Sequence, residues 1–150
     1  MKILMIEDNF AIGEPIRDEI RNTFGVAHWL ETESDFHVEW PNIAANPPRA
    51  AVIDIMLKWD ILRREKRLRP AAASDMYRAG IRCADTVLDD PRTKHIPIIL
   101  FSVIDRTDLA DDIDRLKKKG NVTYLQKSSE PSQLISLLRQ VTSVSGRAVS

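Results

Sequence analysis

With 150 residues, 43% of them hydrophobic, the chain is sized for one domain with a real core, which excludes a disordered polypeptide. Its 22 basic and 22 acidic side chains cancel, so composition makes no case for direct nucleic-acid binding, which draws a clearly basic protein. Cys83 is the only cysteine, which excludes an intrachain disulfide and a cysteine-rich metal site, and no apolar run reaches signal-peptide or membrane-spanning length. A soluble, reducing, cytoplasmic setting is therefore expected.

The first apolar run, Ile3 to Ile6, predicts a strand, and Glu7 and Asp8 end it. Ile12, Ile16, Ile20 and Phe24 then recur at every fourth position, predicting a helix with Pro15 in its first turn and Gly25 at its C-terminal cap. Ala27 to Glu31 reads as a second strand. Ser34 to about Ala45 reads as a helix with Phe36, Trp40 and Ile43 inward, although Phe36 to Trp40 also alternates like a strand and Pro41 disturbs a helix interior.

Ala51 to Ile53 is the third strand. A long basic stretch follows, and the next helix is expected to start at a Ser74 cap, carry Tyr77, Ile81, Ala84 and Leu88 inward, and stop at Pro91. Ile98 to Phe101 predicts a fourth strand. A helix from about Thr107 to Gly120 presents Leu109, Ile113 and Leu116, with lysines in its last turn where the dipole favours them. Val122 to Leu125 is the fifth strand, and a helix from Pro131 through Leu134, Ile135, Leu138 and Val141 closes the domain. The domain is expected to span 1–144, with fraying from about Ser143 and a flexible tail over 145–150. Strand and helix alternating five times argues for a doubly wound α/β sheet.

In such sheets ligands bind beyond the carboxyl ends of the strands. The residues there are Glu7 and Asp8 after the first run, Asp54 after the third, Ser102 after the fourth and Lys127 after the fifth. Clustered carboxylates raise one another's pKa values unless a cation neutralises them, and a few hard oxygen ligands suit Mg²⁺. A carboxylate can attack phosphorus, and phosphoryl transfer needs mainly positioning and charge stabilisation, which Mg²⁺ and Lys127 supply. Singly, each residue also has a plain structural reading: a helix-start acid, a loop-bonding aspartate, a turn serine or a surface lysine. Their shared position at strand ends favours the functional reading.

These same residues carry a resemblance to the response-regulator receiver domains of two-component signalling. The acidic pair in Ile-Leu-Met-Ile-Glu7-Asp8-Asn9, the aspartate in Val-Ile-Asp54-Ile-Met-Leu, the hydroxyl in Ile-Leu-Phe-Ser102 and the lysine in Tyr124-Leu-Gln-Lys127 match the family's order and approximate spacing. The resemblance implies a five-stranded, flavodoxin-like parallel sheet of order 2-1-3-4-5 with helices on both faces. It implies Asp54 as phosphoacceptor, and Mg²⁺ held by Glu7, Asp8, Asp54 and the backbone carbonyl of Met56. Ser102 and Tyr124 would be the switch pair, and Lys127 would meet the phosphoryl group. The implied partners are a histidine kinase or phosphotransfer protein upstream and an unidentified protein downstream, with a homodimer possible. Only self-phosphorylation and self-dephosphorylation chemistry is expected, with no membrane or direct nucleic-acid role.

The chain departs from the family's usual pattern in four places. Lys58 and Ser128 stand where prolines are common, the second often after a cis bond, and Val103 replaces a small residue, which would narrow access to Asp54. The fourth departure is an inserted loop over about 58–73, rich in Arg and Lys from Lys58 to Pro70, with Trp59, Ile61, Leu62 and Leu68 as apolar members. It is either a lid or docking element for an acidic partner, or a solvated loop without a role. A receiver-like binding module that does not cycle phosphate is the alternative function. An aspartate-nucleophile phosphatase is disfavoured because Met56 occupies the position of its second aspartate. No phosphate-binding glycine loop is present. His28, His37 and His95 read as surface or turn residues, Cys83 as partly buried packing, and Trp29 and Trp40 as core or edge packing.

Overall fold

The computed structural model describes residues 1–60, 75–127 and 130–149, with side chains through Ser143. The apolar runs become strands β1 (Lys2–Ile6), β2 (Val26–Leu30), β3 (Ala50–Ile53), β4 (Ile98–Ser102) and β5 (Val122–Gln126). All pairings are parallel, in the order β2-β1-β3-β4-β5. Helices α1 (Phe10–Phe24), α2 (Glu33–Ala45), α3 (Ala79–Asp89), α4 (Ala110–Lys119) and α5 (Pro131–Val149) cover both faces. This is the doubly wound, flavodoxin-like sheet anticipated from the sequence.

Side chains alternate across the sheet with the two-residue period of a strand. Ile3, Met5, Val52, Ile99 and Phe101 meet Ile16 and Ile20 of α1 and Leu134 and Leu138 of α5. Leu4, Ile6, Ala51, Ile53, Ile98 and Leu100 meet Phe36 and Ile43 of α2, Ala84 of α3 and Ile113 and Leu116 of α4. Burial on both faces explains why β1, β3 and β4 read as continuous apolar runs. Edge strand β2 is buried only at Leu30, which is why its sequence gave a weaker signal. Among the described residues no helix is long and apolar enough to cross a membrane.

Several local expectations are corrected. Asn9 caps α1 by accepting from the Ile12 amide at 3.2 Å, so the helix starts at Phe10 and Pro15 lies beyond its first turn. Thr32 caps α2, which runs through Pro41 as a helix; Phe36 and Ile43 are buried and Trp40 packs half-buried. Tyr77 is 60% exposed instead of facing inward. The chain enters α3 through a 3₁₀ turn, Met76–Arg78, capped by Asp75, and the tighter turn takes Tyr77 out of phase with Ile81. A similar turn, Arg106–Leu109, precedes α4.

His28 lies half-buried in β2, not in a surface turn, whereas His37 on α2 and His95 before β4 are exposed. Cys83 is completely buried. The backbone of α5 is helical to Val149. Residues 61–73 of the expected insertion, Ser74 and Ser128 lie outside the described residues, and with Ser128 the geometry of the bond after Lys127.

Candidate functional site

Parallel strands end together, so β1, β3, β4 and β5 deliver their next residues to one edge of the sheet. Backbone hydrogen bonds fix that edge: the Asp54 amide donates to the Ile6 carbonyl at 3.0 Å, the Glu7 amide to Leu30 at 3.0 Å, and the Lys127 amide to Ser102 at 2.9 Å. One carboxylate oxygen from each of Glu7, Asp8 and Asp54 lies within 4.8 Å of the others. Glu7 and Asp54 are buried and Asp8 is half-buried.

Lys127 enters this cluster from β5. Its Nζ lies 2.8 Å from Asp54 Oδ2 and 2.5 Å from Glu7 Oε1, with its side chain only 7% exposed. Three of the four remaining oxygens are oriented by main-chain amides. Asp54 Oδ1 accepts from Met56 at 3.3 Å, Glu7 Oε2 from Asn9 at 3.2 Å, and Asp8 Oδ2 from Lys58 at 3.1 Å.

The charges do not balance. Were all three carboxylates ionised, they would face the single ammonium of Lys127 with two negative charges in excess. Burial, reinforced by the neighbouring Glu7 charge, pushes the Asp54 carboxyl up to about 8 despite the opposing pull of Lys127. Burial and then Glu7 also raise Asp8, against the bond from the Lys58 amide. For Lys127, burial acts downward, but the charges of Asp54 and Glu7 together outweigh it and raise its pKa. Buried Glu7 Oε1 has only the 2.5 Å ion-pair contact with Lys127 and no other polar partner among the described residues. An all-oxygen donor set with excess negative charge and an open buried lone pair fits a hard divalent cation.

Ser102 is brought to the same edge but is fully buried, and its Oγ accepts from the Ile104 amide at 3.2 Å. The Tyr124 hydroxyl donates to the Ile104 carbonyl. Ser102 and Tyr124 thus grip the two polar groups of one residue. Val103, between Ser102 and Ile104 in the chain, is 55% exposed and turns to solvent.

Sequence reasoning missed two residues that shape the site. A Cβ on Gly80 would sit 2.0 Å from the Asp54 carbonyl oxygen, and the Gly80 amide donates to Ile55 at 2.7 Å, so α3 rests directly on the backbone that carries Asp54. Trp29 on β2 donates from Nε1 to the Glu7 carbonyl at 2.9 Å and stacks against Phe10, with ring centroids 5.5 Å apart. Gly80 gave no signal because its role is a close approach between distant segments. Trp29 was legible only as packing.

No protein-family model and no curated protein matches the sequence. Solved structures do match. The chain superposes on the N-terminal domain of a response regulator/sensory box/GGDEF 3-domain protein from Carboxydothermus hydrogenoformans with a TM-score of 0.68 at 16% identity, covering all of both chains. A response regulator receiver domain protein (CheY-like) from Methanospirillum hungatei JF-1 gives 0.72 at 12% identity, over 98% of this chain and 97% of that one. The Francisella response regulator 1452 receiver domain gives 0.64 at 18% identity, over 95% and 96%. At such identities the likeness is one of fold: the chain has the receiver-domain fold over nearly its whole length.

Proposed function

We propose that this chain is a receiver domain of a two-component phosphorelay. It takes a phosphoryl group on Asp54 from a histidine kinase or phosphotransfer protein in a Mg²⁺-dependent reaction and signals through protein contact. The observation that carries this reading is the buried Asp54 carboxylate held 2.8 Å from Lys127 Nζ, beside Glu7 and Asp8, at the carboxyl edge of a receiver-type sheet.

Glu7, Asp8, Asp54 and the backbone carbonyl of Met56 are the groups that would hold the metal. When bound, Mg²⁺ neutralises the carboxylates and the charge that spreads over the transferred phosphoryl oxygens. An Asp54 oxygen attacks the donor phosphorus and forms a P–O bond as the bond to the donor's leaving atom breaks. The leaving group keeps that electron pair; a histidine nitrogen takes a proton from solvent, whereas the carboxylate of an acyl phosphate leaves as the anion. Lys127, already on Asp54 Oδ2, pairs with the new phosphoryl oxygens. Ser102 Oγ accepts from the Ile104 amide and keeps its own O–H to donate to them, while Tyr124 holds the carbonyl of the same Ile104. A pull on Ser102 from the added charge would therefore act on Ile104 and, through it, on Tyr124 and the β4–α4 junction.

The chemistry is confined to the protein's own aspartate, because Met56 offers no acid to protonate the leaving group of an external phosphate ester. A cytoplasmic setting belongs to the same proposal. Incubation with a small acyl-phosphate donor and Mg²⁺ is expected to add the mass of one phosphoryl group. Asp54→Asn and chelation of the metal are each expected to abolish the gain. A protein that binds Mg²⁺ but gains no mass would instead be a binding module that does not cycle phosphate.

A further inference from the structure

Position 58 does something that the usual proline of receiver domains cannot. The Lys58 amide donates to Asp8 Oδ2 at 3.1 Å, across fifty residues of sequence. Proline has no amide hydrogen, so this bond exists only because another residue stands there. The same short segment is fastened on its other side. The Glu33 amide donates to the Lys58 carbonyl at 3.0 Å and the Ser34 amide to the Trp59 carbonyl at 2.9 Å, so two free donors of the α2 N-terminus are satisfied by the segment leaving β3. The His37 ring lies 5.9 Å from that of Trp59. On the returning side the Leu57 amide donates to the Met76 carbonyl at 3.2 Å, closing the base of the insertion.

From these contacts we infer that the Lys58 main-chain amide is a positioning group for Asp8. It binds Oδ2, fixes the orientation of a carboxylate that lies within 4.8 Å of Glu7 and Asp54, and ties it to the base of the insertion and to α2. The inference rests on the proposal that Asp8 binds the metal. Removing a group that orients a metal ligand weakens metal binding on the order of tenfold. The exposed Lys58 side chain acts on Asp8 only through its charge, whereas the main-chain amide holds it by a hydrogen bond.

The test compares Mg²⁺ affinity by calorimetric titration in the full chain, in Lys58→Ala, which keeps the amide, and in Lys58→Pro, which removes it. Both variants lose the ammonium that also acts on Asp8, so Lys58→Ala is the reference, and Lys58→Pro is expected to bind about tenfold more weakly than Lys58→Ala. Equal binding by Lys58→Pro and Lys58→Ala would overturn the inference while leaving the metal site intact. Absence of Mg²⁺ binding in the unaltered chain would overturn the underlying reading instead. A second measurement avoids any backbone disturbance from proline. In metal-free protein, Asp8→Ala is expected to speed hydrogen exchange at the Lys58 amide but not at Glu33 or Ser34. Unchanged exchange at Lys58 would also overturn the inference.

Discussion

Asp54 carries an internal contradiction that the proposed reaction resolves. A nucleophilic carboxylate must be ionised, yet burial and the charge of Glu7 raise its pKa to about 8, so without a cation it holds a proton at neutral pH. The unfolded chain ionises the same group near 4. Between these values the native state binds the extra proton, so stability of the metal-free protein is expected to fall as pH rises from about 4 to about 8. Asp8, raised in the same direction, adds to that slope. Urea unfolding across this range is expected to show a smaller slope for Asp54→Asn, and for the unaltered chain in saturating Mg²⁺. An identical slope in Asp54→Asn would show that the residue is not perturbed. Gly80 gives a second expectation at this scale. A methyl group there would meet the Asp54 carbonyl oxygen, a backbone atom that cannot turn aside, so Gly80→Ala is expected to destabilise the fold by about 1–3 kcal/mol, measured by urea unfolding, and to lower phosphorylation of Asp54.

At the scale of elements, α2 and α3 are joined by charge as well as by apolar packing. Glu33, 1% exposed, receives two bonds of 2.7 Å from Arg82 on α3 and lies 3.5 Å from His37. Burial alone would raise its carboxyl, but Arg82 and then His37 outweigh it and lower it. Arg82→Met strands this buried carboxylate and is expected to cost about 2 kcal/mol in urea unfolding, whereas an exposed pair such as Arg115 with Asp85 is worth under about 1 kcal/mol. A negligible loss for Arg82→Met would place Glu33 in a wetter setting than its burial indicates. Elements were legible in proportion to how locally they are determined. The continuous runs of β1, β3 and β4 announce strands buried on both faces. In α2 the inward pair Phe36 and Ile43 outweighed both Pro41 and the strand-like alternation. The outward turn of Tyr77 was not legible, because a 3₁₀ turn set by Asp75 shifts the phase of the helix that follows.

For the whole molecule, the parallel sheet turns five scattered sequence positions into one edge. Glu7, Asp8, Asp54, Ser102 and Lys127 could be found from sequence because each directly follows, or lies within two residues of, an apolar run. The links from Trp29 to Glu7, Lys58 to Asp8 and Gly80 to Asp54 could not, since they join segments whose approach only the complete fold determines. The central claim is that this edge makes Asp54, and no neighbouring nucleophile, the phosphoryl acceptor. Its most direct test is borohydride reduction of protein treated with an acyl-phosphate donor and Mg²⁺, followed by peptide mass mapping. Reduction of an aspartyl-phosphate leaves homoserine, and the account predicts homoserine at position 54 alone. A phosphoryl group on Glu7, Asp8 or Ser102, or an unmodified Asp54 in Mg²⁺-bound protein, would contradict it.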